Sequence, residues 1–129
     1  MEKISQKVKI LIQIIKIGDA APTKLNDTIK KGIDGIYENA TPPPSFIIDE
    51  AKYGTSGLSK LKDGTKQMSD DWITGADRLA DQVGPEKARE IIEALDAGDV
   101  DRVLSKIDDA GNVVTKQLDS AGKVIGNWP

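Results

Sequence analysis

Gly32-Ile33-Asp34-Gly35-Ile36-Tyr37 and, after a proline-rich connection, Phe46-Ile47-Ile48-Asp49-Glu50-Ala51-Lys52-Tyr53 form the stretch on which the fold turns. Both are short runs rich in β-branched and aromatic residues, bounded by glycine and proline, and they read as strands over 33–37 and 46–53. The connection, residues 38–45, contains Pro42, Pro43 and Pro44 in succession and is predicted to be stiff and extended. Side chains alternate across a strand, so Glu50 and Lys52 share one face while Asp49 and Ala51 share the other. If the strands are neighbours, Asp34 lies opposite Glu50. A slip of one residue would present Asp49 in its place.

Upstream, Ile4, Val8, Leu11 and Ile15 recur at helical spacing with Ile10, Ile14 and Ile17 alongside, which predicts an N-terminal helix ended by Pro22. Residues 24–31 predict a weaker second helix. The apolar run 10–15 is bracketed by Lys9 and Lys16 and falls far short of the roughly 20 residues of a membrane span. No A-x-A cleavage site follows it, so neither a transmembrane helix nor an export signal is expected.

Downstream, residues 54–64 read as a loop of Gly, Ser and Lys. Ser69 is placed to cap a helix with Asp70 and Asp71 in its first turn, where the helix dipole favours acids, and Trp72, Ala76, Leu79 and Val83 fall on one face. Gly84-Pro85 punctuates the chain. Ala88, Ile91, Ile92 and Leu95 mark a further helix that stops near Gly98. In the tail, Asp108-Asp109-Ala110-Gly111-Asn112-Val113 and Asp119-Ser120-Ala121-Gly122-Lys123-Val124 repeat one turn pattern between apolar runs, predicting a β-meander that ends at Trp128-Pro129.

The chain has 129 residues, 38% of them hydrophobic, 30% charged and 4% aromatic, which fits one soluble α/β or α-rich domain. It contains no cysteine and no histidine. Disulfide frameworks, zinc fingers, thiol nucleophiles, Ser-His-Asp triads, HNH nuclease sites and imidazole ribonucleases are thereby excluded. The net charge of −3 hides an asymmetry: residues 1–66 carry eleven lysines against eight acids, and residues 67–129 carry seven bases against thirteen acids. A polyanion would meet the first half.

Two carboxylates held side by side, as Asp34 and Glu50 would be, repel each other unless a divalent cation sits between them, and an all-oxygen site suits Mg²⁺ or Mn²⁺. Such a site handles phosphodiesters. Lys52 would orient the attacking water or stabilise developing negative charge. An acid-x-Lys triplet alone means little, since roughly two are expected by chance in this composition. Its context gives it weight, although an ion pair on a half-buried strand fits the same residues. Lys60, Lys62 and Lys66 in or beside the loop are candidate phosphate contacts, with Lys30 and Lys31 ahead of the Asp34 strand. Tyr37, Tyr53 and Trp72 read as core or strand-surface aromatics rather than base-stacking platforms.

Gly32-Ile33-Asp34-Gly35-Ile36-Tyr37, the prolines, Ile48-Asp49-Glu50-Ala51-Lys52-Tyr53-Gly54, Lys66-Gln67-Met68-Ser69, Trp72-Ile73 and Arg78-Leu79 together resemble the restriction-endonuclease-like PD-(D/E)xK toxin domains at the C-termini of bacterial polymorphic and contact-dependent inhibition toxins. The resemblance spans about residues 32–83. It implies a single α/β nuclease toxin domain over 1–129: an N-terminal helical segment over 1–31, a catalytic core over 32–83 built on a mixed sheet flanked by helices, and a C-terminal hairpin or meander over 103–129. It further implies metal-dependent cleavage of DNA or RNA such as tRNA, with Asp34 and Glu50 as metal ligands, Lys52 as the catalytic lysine and Gln67 orienting substrate or metal. Mg²⁺ or Mn²⁺ is the expected ion, with Zn²⁺ as an alternative. A cognate immunity protein, synthesis in a bacterial cytoplasm, delivery with a larger toxin and action in the target cytoplasm belong to the same implication. One departure is that many relatives carry a further acid on the first helix, where residues 3–17 have none. The rival readings are a metal-independent tRNase toxin and a non-catalytic module that binds a partner through its C-terminal hairpin.

Overall fold

The computed structural model describes residues 14–16 and 33–129. Six strands form one mixed sheet in chain order: β1 (Ile14–Lys16), β2 (Gly35–Asn39), β3 (Phe46–Tyr53), β4 (Val100–Ile107), β5 (Val113–Leu118) and β6 (Val124–Asn127). All neighbours are antiparallel except β3 and β4, which run parallel. A parallel pair needs a crossover. Here it carries three helices, α1 (Asp70–Thr74), α2 (Arg78–Val83) and α3 (Pro85–Asp96). The mixed α/β class agrees with the sequence reading, and β3 has the predicted bounds.

Strand alternation sorts the core into two layers. Ile36, Phe46, Ile48, Leu104 and Leu118 project from the sheet onto Met68, Trp72, Ile73, Leu79, Ala88 and Ile91 of the crossover. Fully burying each such side chain stabilises the fold by about 1.5–3 kcal/mol relative to exposure. Behind the sheet, Ile47, Val103 and Trp128 form a smaller cluster with Tyr37, and the Trp128 indole N–H donates to Asp101 Oδ2 at 2.9 Å. No helix among the described residues is long and apolar enough to cross a membrane.

Three expectations are corrected. The predicted N-terminal helix includes residues 14–16, which instead form β1 against Tyr37–Asn39 of β2. A β-branched Ile-Ile run suits a strand, and this one gives β2 backbone partners along an otherwise open edge. The rest of that helix, and the weaker one at 24–31, lie outside the described residues. The triple-proline connection is a hairpin loop rather than an extended spacer. Asn39 closes it, its N–H donating to the Ser45 carbonyl at 2.9 Å and its side-chain amide to the Pro44 carbonyl at 2.8 Å.

The single helix expected from Trp72 to Val83 is two. The chain breaks at Gly75, and Ala76 and Asp77 adopt φ of 52° and 57°. Arg78 explains the break, since its guanidinium donates to the Trp72 and Gly75 carbonyls at 2.8 and 3.1 Å and lies 4.6 Å from the Trp72 ring centroid. A side chain thus supplies donors that a continuing helix backbone would have provided. Ser69 caps α1 as predicted, its Oγ accepting from Trp72 N–H at 3.3 Å. Helix α3 ends at Gly98, where φ is 71° and the Gly98 and Asp99 N–H groups bond back to Leu95 and Ala94.

The two tail turns share one construction. Asp108 Oδ1 accepts from Ala110 and Asn112 N–H, and Asp119 Oδ1 accepts from Ala121 and Lys123 N–H. Gly111 and Gly122 supply the positive φ that each turn requires. β4 is more than the start of a terminal meander. It joins that meander to β3 at the middle of the sheet.

Candidate active site

The β2–β3 ladder pairs Gly35 with Asp49 and Ile36 with Ile48, so its continuation sets Asp34 opposite Glu50. Asp34 sits one residue before β2 and accepts the Ala51 N–H on Oδ2 at 2.7 Å. That bond takes over a β3 backbone donor where the β2 ladder ends, and it anchors the carboxylate. Glu50 and Lys52 follow on the helix-covered face of β3. The Lys52 ammonium lies 3.4 Å from Glu50 Oε2, with the lysine side chain 21% exposed and the glutamate side chain 5%. The site therefore runs from a buried acid to a lysine that reaches solvent.

Glu50 is the unusual group. Its Oε1 is buried and has no hydrogen-bond partner. Burial lifts its pKa from 4.5 to about 8, helped by the adjacent Asp34 charge and a carboxyl–carboxyl hydrogen bond, and opposed by Lys52. A proton held on Glu50 is one way to relieve two carboxyl groups set side by side out of water. A divalent cation is the other way to compensate two acceptors facing each other.

Asp49 belongs to the opposite face and accepts from Ser105 Oγ at 2.8 Å. Together with burial, its charge raises the pKa of the Tyr37 phenol. The strand therefore presents Glu50, not Asp49, toward Asp34. Gln67 is buried, and its Oε1 accepts from both the Ser59 N–H at 3.1 Å and the Ser59 hydroxyl at 3.3 Å. It ties the loop after β3 to the start of α1.

The loop lysines sit on a small hairpin over residues 59–67. Lys60 faces Lys66 in an antiparallel bridge, and Leu61 N–H donates to the Thr65 carbonyl at 2.8 Å. Lys60 and Lys62 are exposed and Lys66 is half-buried near Asp119. Among the described residues none of the three pairs with Asp34 or Glu50. The sequence reading missed Lys106, which the parallel register sets directly beside Lys52. No local pattern reveals a partner so far along the chain.

Among the described residues no group of three or more carboxylates assembles. Two acids are nonetheless enough for Mg²⁺, which is commonly held by one or two carboxylates together with substrate phosphates. Asp34 and Glu50 fit that donor set, with the partnerless Glu50 oxygen as the open valence.

No family model, curated protein or solved structure matches this chain.

Proposed function

We propose that this chain is a divalent-metal-dependent nuclease of the restriction-endonuclease-like PD-(D/E)xK type, hydrolysing phosphodiester bonds of DNA or RNA as an antibacterial toxin held in check by an immunity protein. The observation that carries the reading is the buried, partnerless Glu50 oxygen beside Asp34, with Lys52 on the same face. A mixed sheet carrying this triad on adjacent strands supports the fold assignment.

Asp34 and Glu50 would hold the cation, which when bound supplies Lewis acidity toward a phosphoryl oxygen and acidifies water. Asp34 is pre-positioned by the Ala51 N–H and does not have to reorganise. A bound cation would favour the ionised form of Glu50 that burial disfavours. Lys52, partly exposed and tethered to Glu50, is placed to donate to a non-bridging phosphate oxygen as negative charge builds. The last two strands of the sheet leave Val113, Val114, Val124 and Ile125 exposed, and apolar side chains on an edge strand and its neighbour suit an immunity protein and also a non-catalytic binding module.

The test is incubation of purified protein with plasmid DNA and, separately, tRNA, in Mg²⁺, Mn²⁺, Zn²⁺ or EDTA, with Asp34→Asn and Lys52→Ala alongside. Cation-dependent cleavage that falls by roughly 10²-fold or more in both variants is expected. Cleavage that survives EDTA would favour the metal-independent tRNase, and no cleavage of either polymer would leave the binding module.

A further inference from the structure

Beyond the acid pair, strands β3 to β5 place their basic residues on one face of the sheet. On the helix-covered face β3 carries Glu50 and Lys52, β4 carries Arg102 and Lys106, and β5 carries Lys116. On the opposite face lie Asp49 and Asp101. Neither β4 nor β5 carries an acid on the helix-covered face. Arg102 is buried and paired with Asp70 at 2.5 Å, so it belongs to the core.

Lys52, Lys106 and Lys116 remain. Lys106 is the register partner of Lys52, and Lys116 pairs with Leu104, one step diagonal to Lys106 on the next strand. With strands about 4.8 Å apart and Lys116 set two residues along its strand, the three lysine stems form an oblique row roughly 12 Å long that starts at the acid pair. Like charges on facing positions are destabilising unless something compensates them. Lys52 has Glu50. Lys106 and Lys116 form no ion pair among the described residues, and their ammonium groups donate only to neutral oxygens, the Ser56 carbonyl at 2.6 Å and Asn127 Oδ1 at 2.5 Å.

We infer that Lys106 and Lys116 form, with Lys52, a phosphate-binding row that leads one nucleic-acid strand across β3, β4 and β5 into the Asp34–Glu50 site. The inference rests on the nuclease reading and deepens it by naming the groove. A duplex strand presents one phosphate per about 3.4 Å of axis, so the row spans about three phosphates. The lysines nominated from sequence, Lys60, Lys62 and Lys66, lie on a separate hairpin. The row lysines hold phosphates flanking the scissile one and act by positioning.

The experiment measures binding of a short labelled DNA duplex, and in parallel of labelled tRNA, in EDTA across a salt series. The proteins are wild type, Lys106→Gln, Lys116→Gln, the double variant, the charge-keeping Lys106→Arg/Lys116→Arg pair and Lys87→Gln, whose lysine on α3 is paired with Glu38 of β2 and Glu90 of its own helix. Each Gln substitution in the row is expected to reduce the log–log salt slope by about 0.9 on duplex or 0.7 on single strands, with Arg restoring it and Lys87→Gln leaving it unchanged. In Mg²⁺ the double variant should raise KM with kcat nearly held. Melting curves identify any variant that fails to fold, and the Arg pair then carries the comparison through its retained slope. Wild-type binding with the same slope in the double variant, or an equal loss in Lys87→Gln, overturns the row and leaves the nuclease reading standing. Wild type that neither binds nor cleaves either polymer overturns both.

Discussion

Replacing Glu50 by Gln should stabilise the cation-free protein at alkaline pH while removing a proposed metal ligand. Glu50 ionises near pH 8 when folded and near 4.5 when not. The folded state therefore binds the proton more tightly, so the stabilisation is complete below pH 4.5 and is lost as pH rises to about 8. At about 1.36 kcal/mol per pKa unit this difference amounts to roughly 3–5 kcal/mol. Gln mimics the protonated acid and carries no such penalty. Urea unfolding in EDTA should give wild type and Glu50→Gln nearly equal stability at about pH 5, with the variant ahead by several kcal/mol at about pH 9. Mg²⁺ should recover wild type at the higher pH and leave the variant unaffected. Parallel pH profiles for the two proteins would refute the raised Glu50 pKa that burial beside Asp34 produces.

Gly122→Ala should destabilise by about 1–3 kcal/mol in chemical unfolding, because the residue has φ of 79° and a Cβ there would meet the Gln67 carbonyl at 2.7 Å. Gly111→Ala, at a matching φ of 84° with nothing within 4 Å, should cost less, and the difference between the two isolates the contact with the start of α1. Arg102→Met should cost about 2 kcal/mol and loosen the Met68–Asp70 segment, visible as faster amide exchange there, since the guanidinium bonds both the Met68 carbonyl and Asp70. Ile48→Ala, fully buried between sheet and helices, should lower stability by about 2–5 kcal/mol as judged by the urea midpoint.

What could be read from sequence was whatever depended on neighbours close in the chain. β3 announced itself through Phe46-Ile47-Ile48 and its glycine stop, and alternation alone put Glu50 and Lys52 on one face. The tail turns were legible because Asp supplies the acceptor and Gly the positive φ within a few residues. The break at Gly75 was hidden, since Arg78 competes with a helix that periodicity alone supports. β1 was hidden because the strand that needs a partner lies about twenty residues away. The lysine row was wholly hidden, since it exists only through the pairing of β3 with β4 and of β4 with β5.

From β2 onward, that β3–β4 pairing is the one join in the sheet that is not a hairpin, and its strands are separated by residues 54–99. Hairpins close over short loops, whereas a parallel pair waits for its crossover to be ordered. The sheet thus divides into two locally connected pieces, one bearing Asp34 and Glu50 and the other bearing Lys106 and Lys116, and the seam between them is expected to close last. Pulse-labelled amide exchange should show β2–β3 and β5–β6 protected before β4 closes on β3. A hairpin not yet closed on β4 would leave Glu50 without the burial that raises its pKa, so the acid pair takes on its character only at the last join of the sheet.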